Sequence, residues 1–308
     1  MDLITRPISG PDELSLFCRL TYSLDDELAD DLDAGRRRPE WMWMALRGDR
    51  LIARAAWWGD PDPEILDIFD IEEGAVDEGV ALLEAALGAI VPAGGTPPEY
   101  IRFAPPDWRD QPGSRRVVEE RLAAIARMGA RPLVERLRLE WRPGTPIAAP
   151  TGRLHFRQTH GRDEMVALMT RVLDGTLDAH SRDDLTHMAP AEAAAVHFDR
   201  EMAEYRSPRA WWRVATLPDG EPVGFVTPAR NDYNAIMGYI AVLPEHRGNG
   251  YIDDLLAEGT RILAAEDVPR IRASTDVGNV PMAAAFERAG YVIFERSINW
   301  TSDPDDAQ

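Results

Sequence analysis

The stretch Val242–Leu256, "VLPEHRGNGYIDDLL", gathers residue types that together suit an anion. Pro244 lacks an N–H and stops a β-ladder. Gly248 and Gly250 permit backbone angles closed to other residues and let a ligand come close to the main chain. An amphipathic pattern follows at once, so a helix starts with its unpaired N–H groups turned into the loop. Those donors, the positive helix end and the Arg247 charge make a phosphate site. Hydrogen bonds between charged partners contribute about 1.5–3 kcal/mol each. A dinucleotide-binding enzyme fits less well, because G-x-G-x-x-G wants a glycine where position 253 is Asp.

Composition removes other chemistries. All 34 basic residues are Arg. A Walker loop, a kinase ATP lysine and a pyridoxal Schiff base all require Lys. G-x-S-x-G, H-E-x-x-H and C-x-x-C are also missing. The six His are scattered, and His180 and His187 have no partner at ligand spacing, so no metal is expected. The net charge of −19 argues against nucleic acid and suits a cationic partner, although an acidic surface is more often a solubility device. No apolar run reaches a membrane span, the N-terminus lacks a signal pattern, and Cys18 is the single cysteine. A cytoplasmic protein without membrane contact, monomer or homodimer, is expected.

The elements around the loop come in two echoing halves. "WRPGTPIAAPTG", Trp141 to Gly152, reads as a linker. Before it run a helix ("PDELSLFCRLTYSLDDEL"), two strands turning at Gly48-Asp49, the strand "PEILDIFDI", a helix, "EYIRFAP", a helix, and "VERLRLEW". After it the order repeats, with a further helical stretch "APAEAAAVHFDREMAEY" behind the first helix, a turn at Asp219-Gly220 and a last strand "FERSINW". The reading is a duplicated α/β unit with mixed sheets: 1–142, a linker at 143–153, and 154–308. A single large mixed sheet is the alternative. The first half carries acidic residues, "DIEEGAVDEG", where the second has "PEHRGNG", so a phosphate is repelled there and welcomed in the second. The acidic run Ser23 to Asp33 reads as a solvated helix face, or else as a lid for cationic acceptors.

The motif resembles that of the GNAT superfamily of acyl-CoA-dependent N-acyltransferases, [Q/R]-x-x-G-x-[G/A] after a strand ending V-x-P. Here it is Arg247-Gly248-Asn249-Gly250-Tyr251-Ile252 after Val242-Leu243-Pro244, and Asn279, Phe286 and Gly290-Tyr291 follow the family's later pattern. The two-domain layout resembles members of the mycothiol-synthase type, in which one half is degenerate. The resemblance implies two tandem GNAT-like domains, the second binding acetyl-CoA or another acyl-CoA. Ile240, Ala241 and Val242 would offer backbone groups to the pantetheine arm. Gly248 to Asp253, including Asn249, Gly250, Tyr251 and Ile252, would cradle the pyrophosphate beside Arg247. Asn279 and Phe286 would also lie at the cofactor. The strands "IMGYIAVL" and "RIRAST" would part to admit the thioester. Ile252 replaces a small residue, and Phe286 stands where many members have a proton-donating Tyr. The implied activity is N-acetylation of a primary amine on a small molecule or peptide. A non-catalytic acyl-CoA sensor or scaffold is the alternative. Asp276 is a candidate base, with a loop or cap aspartate the preferred reading. Tyr239 and Tyr291 are candidate donors, with packed aromatics preferred. His246 either steadies a phosphate or is a solvated loop residue.

Overall fold

The computed structural model describes residues 2–302. It divides into two compact units: residues up to Glu135 with those from Arg296, and Arg136–Glu295. These limits differ from 1–142, 143–153 and 154–308 because the closing strand of each half runs on into the other unit.

The first unit contains β1 (Ile4–Pro7), the short helices α1 (Leu14–Phe17) and α2 (Leu28–Asp33), β2 (Met42–Arg47), β3 (Arg50–Trp58) and β4 (Ile65–Ile71). Then come α3 (Val76–Ile90), β5 (Glu99–Ala104), α4 (Pro112–Arg127) and the start of β6 (Arg131–Trp141). The second holds the rest of β6, β7 (His155–Gln158), α5 (Arg162–Val172), α6 (Ala179–His187), α7 (Pro190–Arg200), β8 (Arg213–Thr216) and β9 (Pro222–Arg230). It continues with β10 (Ala235–Val242), α8 (Tyr251–Ala264), β11 (Ile271–Asp276), α9 (Val280–Arg288) and the start of β12 (Val292–Thr301). Among the described residues no helix is long and apolar enough to cross a membrane.

In the first unit the strand order is β1-β2-β3-β4-β5-β12, and in the second β6-β11-β10-β9-β8-β7. Arg296–Trp300 pair antiparallel with β5, and 136–141 of β6 pair antiparallel with β11. Trp141 joins the core of the second unit and Trp300 packs on that of the first. Both strands alternate apolar and polar residues, so either sheet edge satisfies them; the choice is made by packing.

The helix expected at 11–28 is broken. The Tyr22 N–H donates to the Asp25 carboxylate at 2.9 Å, a local bond that competes with the helix. The chain then turns so that Asp25 reaches Arg54, 2.8 Å away. Nor is Ser23–Asp33 simply a solvated face. Asp31 is fully buried and pairs with Arg36 and Arg37. In the other unit, Asp178–Met188 contains a helix the hydrophobic pattern did not announce; Asp178 caps it by accepting from the Ser181 N–H.

Candidate functional site

β10 and β11 run parallel but pair only at Ala235–Ile271 and Ile236–Arg272. A bulge at Gly238 then bends β10. At the bulge the Tyr239 N–H donates to Thr227 Oγ1 at 2.7 Å, and the Thr227 hydroxyl donates to the Tyr239 carbonyl. The Leu243 N–H donates to the Val223 carbonyl on the β9 side. The Ala241 carbonyl also lies toward β9, 2.3 Å from where a Cβ on Gly224 would stand. Antiparallel alternation therefore turns the main-chain groups of Ile240 and Val242 to the parted side. Residues 238–242 are all half-buried although β10 is an interior strand.

Beyond β10 the chain makes one 3-10 turn, Pro244–His246, and passes through Gly248 (φ +83°) and Gly250 (φ +70°) into α8. Among the described residues, the N–H groups of Gly248 to Ile252 have no acceptor within the protein. Four carbonyls of the loop are engaged, those of His246, Arg247, Asn249 and Gly250. Arg153 donates to the Asn249 and Gly250 carbonyls at 3.1 and 3.2 Å, and the Asn249 amide donates back to the His246 carbonyl at 3.0 Å. Successive unpaired amides around glycines of positive φ are the makings of an anion-binding nest. Two acidic side chains in the first helical turn oppose an anion, and both are paired. Asp254 pairs with Arg153 and accepts from Thr151, and Asp253 pairs with Arg288 at 2.7 Å.

Several expected side chains have partners within the protein. Arg247 donates to the Val172, Asp174, Gly175 and Val242 carbonyls. It anchors the glycine loop to the end of α5, and its hydrogen bonds go to main chain. Ile252 and Tyr251 pack against the core, so the branched side chain leaves its N–H open. His246 faces Glu221 at 3.2 Å and packs against Tyr251. Asn279 caps α9, accepting from the Met282 N–H at 3.3 Å. Phe286 is 1% exposed and lies edge-on to Tyr291, whose hydroxyl bonds Thr260 at 2.8 Å. Both are core residues.

The candidate catalytic pair is drawn into a cluster of polar groups. Asp276 ends β11 and is 3% exposed. One carboxylate oxygen accepts from the Ala179 N–H at 2.7 Å and the other lies 3.2 Å from Arg136 Nε. It therefore docks α6 onto the parted strand. Burial raises its pKa, the Asp178 charge adds to this, and Arg136 opposes both. The Tyr239 ring packs between Phe225 and His197, with centroids 5.1 and 5.2 Å away. Burial, then the Asp178 and Glu201 charges, push its phenol well above the ordinary range. Tyr205 covers the bulge: its hydroxyl lies 2.7 Å from where a Gly238 Cβ would stand. Tyr205, His197, Glu201 and Arg153 carry no sequence signal of their own; only their positions relative to the β10 bulge and the glycine loop mark them.

The first unit has the same parting and a different filling. β4 and β5 pair only at Ile65–Glu99 and Leu66–Tyr100. Beyond that point Asp70 accepts from Arg54, Arg102 and Arg121 at 2.9–3.2 Å. Arg102 also donates to the Phe69 carbonyl and Arg121 to the Ile71 carbonyl. Tyr22 Oη accepts from the Phe103 N–H at 2.7 Å, with Arg102 stacked on its ring. The backbone groups released by the parting are taken by side chains of the same unit.

Residues 176–291 match the family model described as acetyltransferase (GNAT) family. The chain is similar to a GCN5-related N-acetyltransferase from Sphaerobacter thermophilus, at 16% identity and a TM-score of 0.60, covering 98% of this chain and 96% of that one. It is also similar to a tandem GNAT protein from the clavulanic acid biosynthesis pathway, at 15% identity and a TM-score of 0.54, covering 98% and 99%. No curated protein matches the sequence. The solved structures, at these identities, establish the mixed α/β fold of tandem GNAT proteins over nearly the whole chain.

Proposed function

We propose, from the premise that residues 176–291 form a GNAT acetyltransferase domain, that this protein moves an acetyl group from acetyl-CoA to a primary amine. The acceptor is a small molecule or peptide. The second unit carries the activity, and the first is a degenerate copy. One observation supports this above the others: a strand open along one side leads into a loop whose successive N–H groups are bare. The main-chain groups of Ile240 and the N–H of Val242 suit the amides of a pantetheine arm in the manner of an added strand. Gly248 to Ile252 suit its diphosphate.

The chain's contribution to the reaction is placement and proton handling. Holding amine and thioester together supplies much of the acceleration. A phenol beside the bulge, Tyr239 or Tyr205, is placed to hand a proton from the amine nitrogen on to the departing thiolate and to be left protonated, since Phe286 is shut in the core. The acidic groups Asp178, Asp184 and Glu201 favour a cationic acceptor. Phe286 also keeps the non-catalytic binder in view as a second reading, and turnover separates the two.

Calorimetry with CoA is expected to give one site per chain, because Asp70 and its arginines close the equivalent opening of the first unit. Acetyl-CoA with a panel of amines should then yield free thiol. Failure of CoA to bind would remove the reading, and binding without transfer to any amine would leave the binder. Arg153→Ala is expected to weaken CoA about two- to tenfold, since the carbonyl clamp is lost and Asp254 is left uncompensated near the diphosphate. An unchanged dissociation constant in the same titration would relieve Arg153 of that role.

A further inference from the structure

Resting on the acyl-transfer reading, we propose that His197, oriented by Glu201, is the base that takes a proton from the attacking amine. His197 lies in the last turn of α7, with Nδ1 3.4 Å from Glu201 Oε1. Its ring lies against Tyr239, the residue that follows the Gly238 bulge on the parted strand. Nε2 is buried and makes no hydrogen bond within the protein. One ring nitrogen is thus committed to a carboxylate and the other is free to accept, the arrangement a histidine base requires.

The neighbouring groups do not compete for the role. Asp276 is held by the Ala179 N–H and Arg136. The Tyr239 phenol keeps its proton. The groups around His197 are Glu201 at its own helix end, Asp178 at the cap of α6, Asp184 and His180 on α6, Arg136 on β6, which acts on Asp178 and Glu201, and Tyr239 on β10; on α5, Arg162 is bound to Asp199. Burial pulls the imidazole pKa down, but the Glu201 contact and the charges of Glu201, Asp178 and Asp184 more than offset this and leave it above its ordinary value.

The step balances as follows. The ammonium nitrogen gives one proton to Nε2, and its freed lone pair forms the C–N bond at the thioester carbonyl. The C–S bond breaks, and a second proton from the nitrogen ends on sulfur. His197 then releases its proton to solvent. Ammonium and thioester become amide, thiol and one proton.

The test uses the full chain, acetyl-CoA, and butylamine, diaminobutane and trifluoroethylamine as probes. His197→Gln is expected to lower kcat on the alkylamines about 10²–10⁴-fold with little change in KM for acetyl-CoA. The loss should shrink for trifluoroethylamine, which is already neutral near pH 7. In the unaltered protein the rate should rise with pH through the His197 pKa measured by NMR. Glu201→Gln should move that pKa and the rising limb together to lower pH, a shift a merely structural pair would not give. A rising limb kept by His197→Gln, or a Glu201→Gln protein whose NMR pKa moves while the limb stays, overturns the proposal. If His197→Gln does not fold, the Glu201→Gln comparison decides alone. CoA binding without transfer to any probe by the unaltered protein overturns the acyl-transfer reading instead, and this proposal falls with it.

Discussion

Asp70→Ala should destabilise the first unit by about 3–5 kcal/mol, the range found when one member of a buried ion cluster is removed. Asp70 is 1% exposed, and Arg54, Arg102 and Arg121 converge on it. Removing the carboxylate leaves three buried cations without their common partner and also frees the guanidinium groups that satisfy the parted strand carbonyls. Burial pushes the Asp70 pKa up, but Arg102, Arg54 and Arg121 more than offset this and hold it below the ordinary value. A carboxylate depressed in the folded state contributes stability that is fully present above its unfolded pKa of about 3.9 and lost as pH falls through the folded value. Melting should therefore be nearly insensitive to this group from neutral pH down to about pH 4 and fall below it. The Ala variant should melt lower at neutral pH and lose part of that acid slope. Equal denaturation curves for the two proteins at neutral pH would show that the cluster contributes nothing.

A Gly248→Val, Gly250→Val double variant should lower CoA affinity between about thirtyfold and a thousandfold, because each valine in the left-handed region costs about 1–2 kcal/mol. Space is not the obstacle: no atom stands within 4 Å of a Cβ added at either glycine. The left-handed angles themselves turn consecutive amides to one side, and a β-branched residue pushes the backbone out of them. Gly248 to Gly250 are exposed, so the loop can relax without disturbing the core beneath α8. Calorimetry should find the affinity loss with the melting temperature nearly unchanged. Undiminished affinity would mean that the amides of this loop do not hold the diphosphate.

The glycine loop was readable in "LPEHRGNGY" because its conformation is written locally. Pro244 ends the strand, two glycines admit positive φ, and a good helix follows. The hairpin turns at Gly48 and Gly220 were readable for the same reason. The roles of single side chains were not. Arg247 is expected beside a phosphate from its place in the motif, and only the fold shows the carbonyls of residues 172, 174 and 175 around it. Phe286 and Asn279 matched a family pattern, and one is core and the other a helix cap. The apolar periodicity at 11–28 suggested one helix, but the long-range bonds of Tyr22 and Asp25 bend the chain there.

By itself the sequence determined the order of elements, the echo between halves, and the place where bare backbone meets a helix, since these follow from φ preferences and periodicities over a few residues. Only the tertiary structure decided that the closing strands pair with β5 and β11, that Asp70 gathers arginines 16, 32 and 51 residues away, and that His197 rests on Tyr239. Those partners are remote along the chain. Which of many chemically equivalent arginines, tryptophans or strand edges meet is set by packing the whole unit at once, and no local preference distinguishes among them.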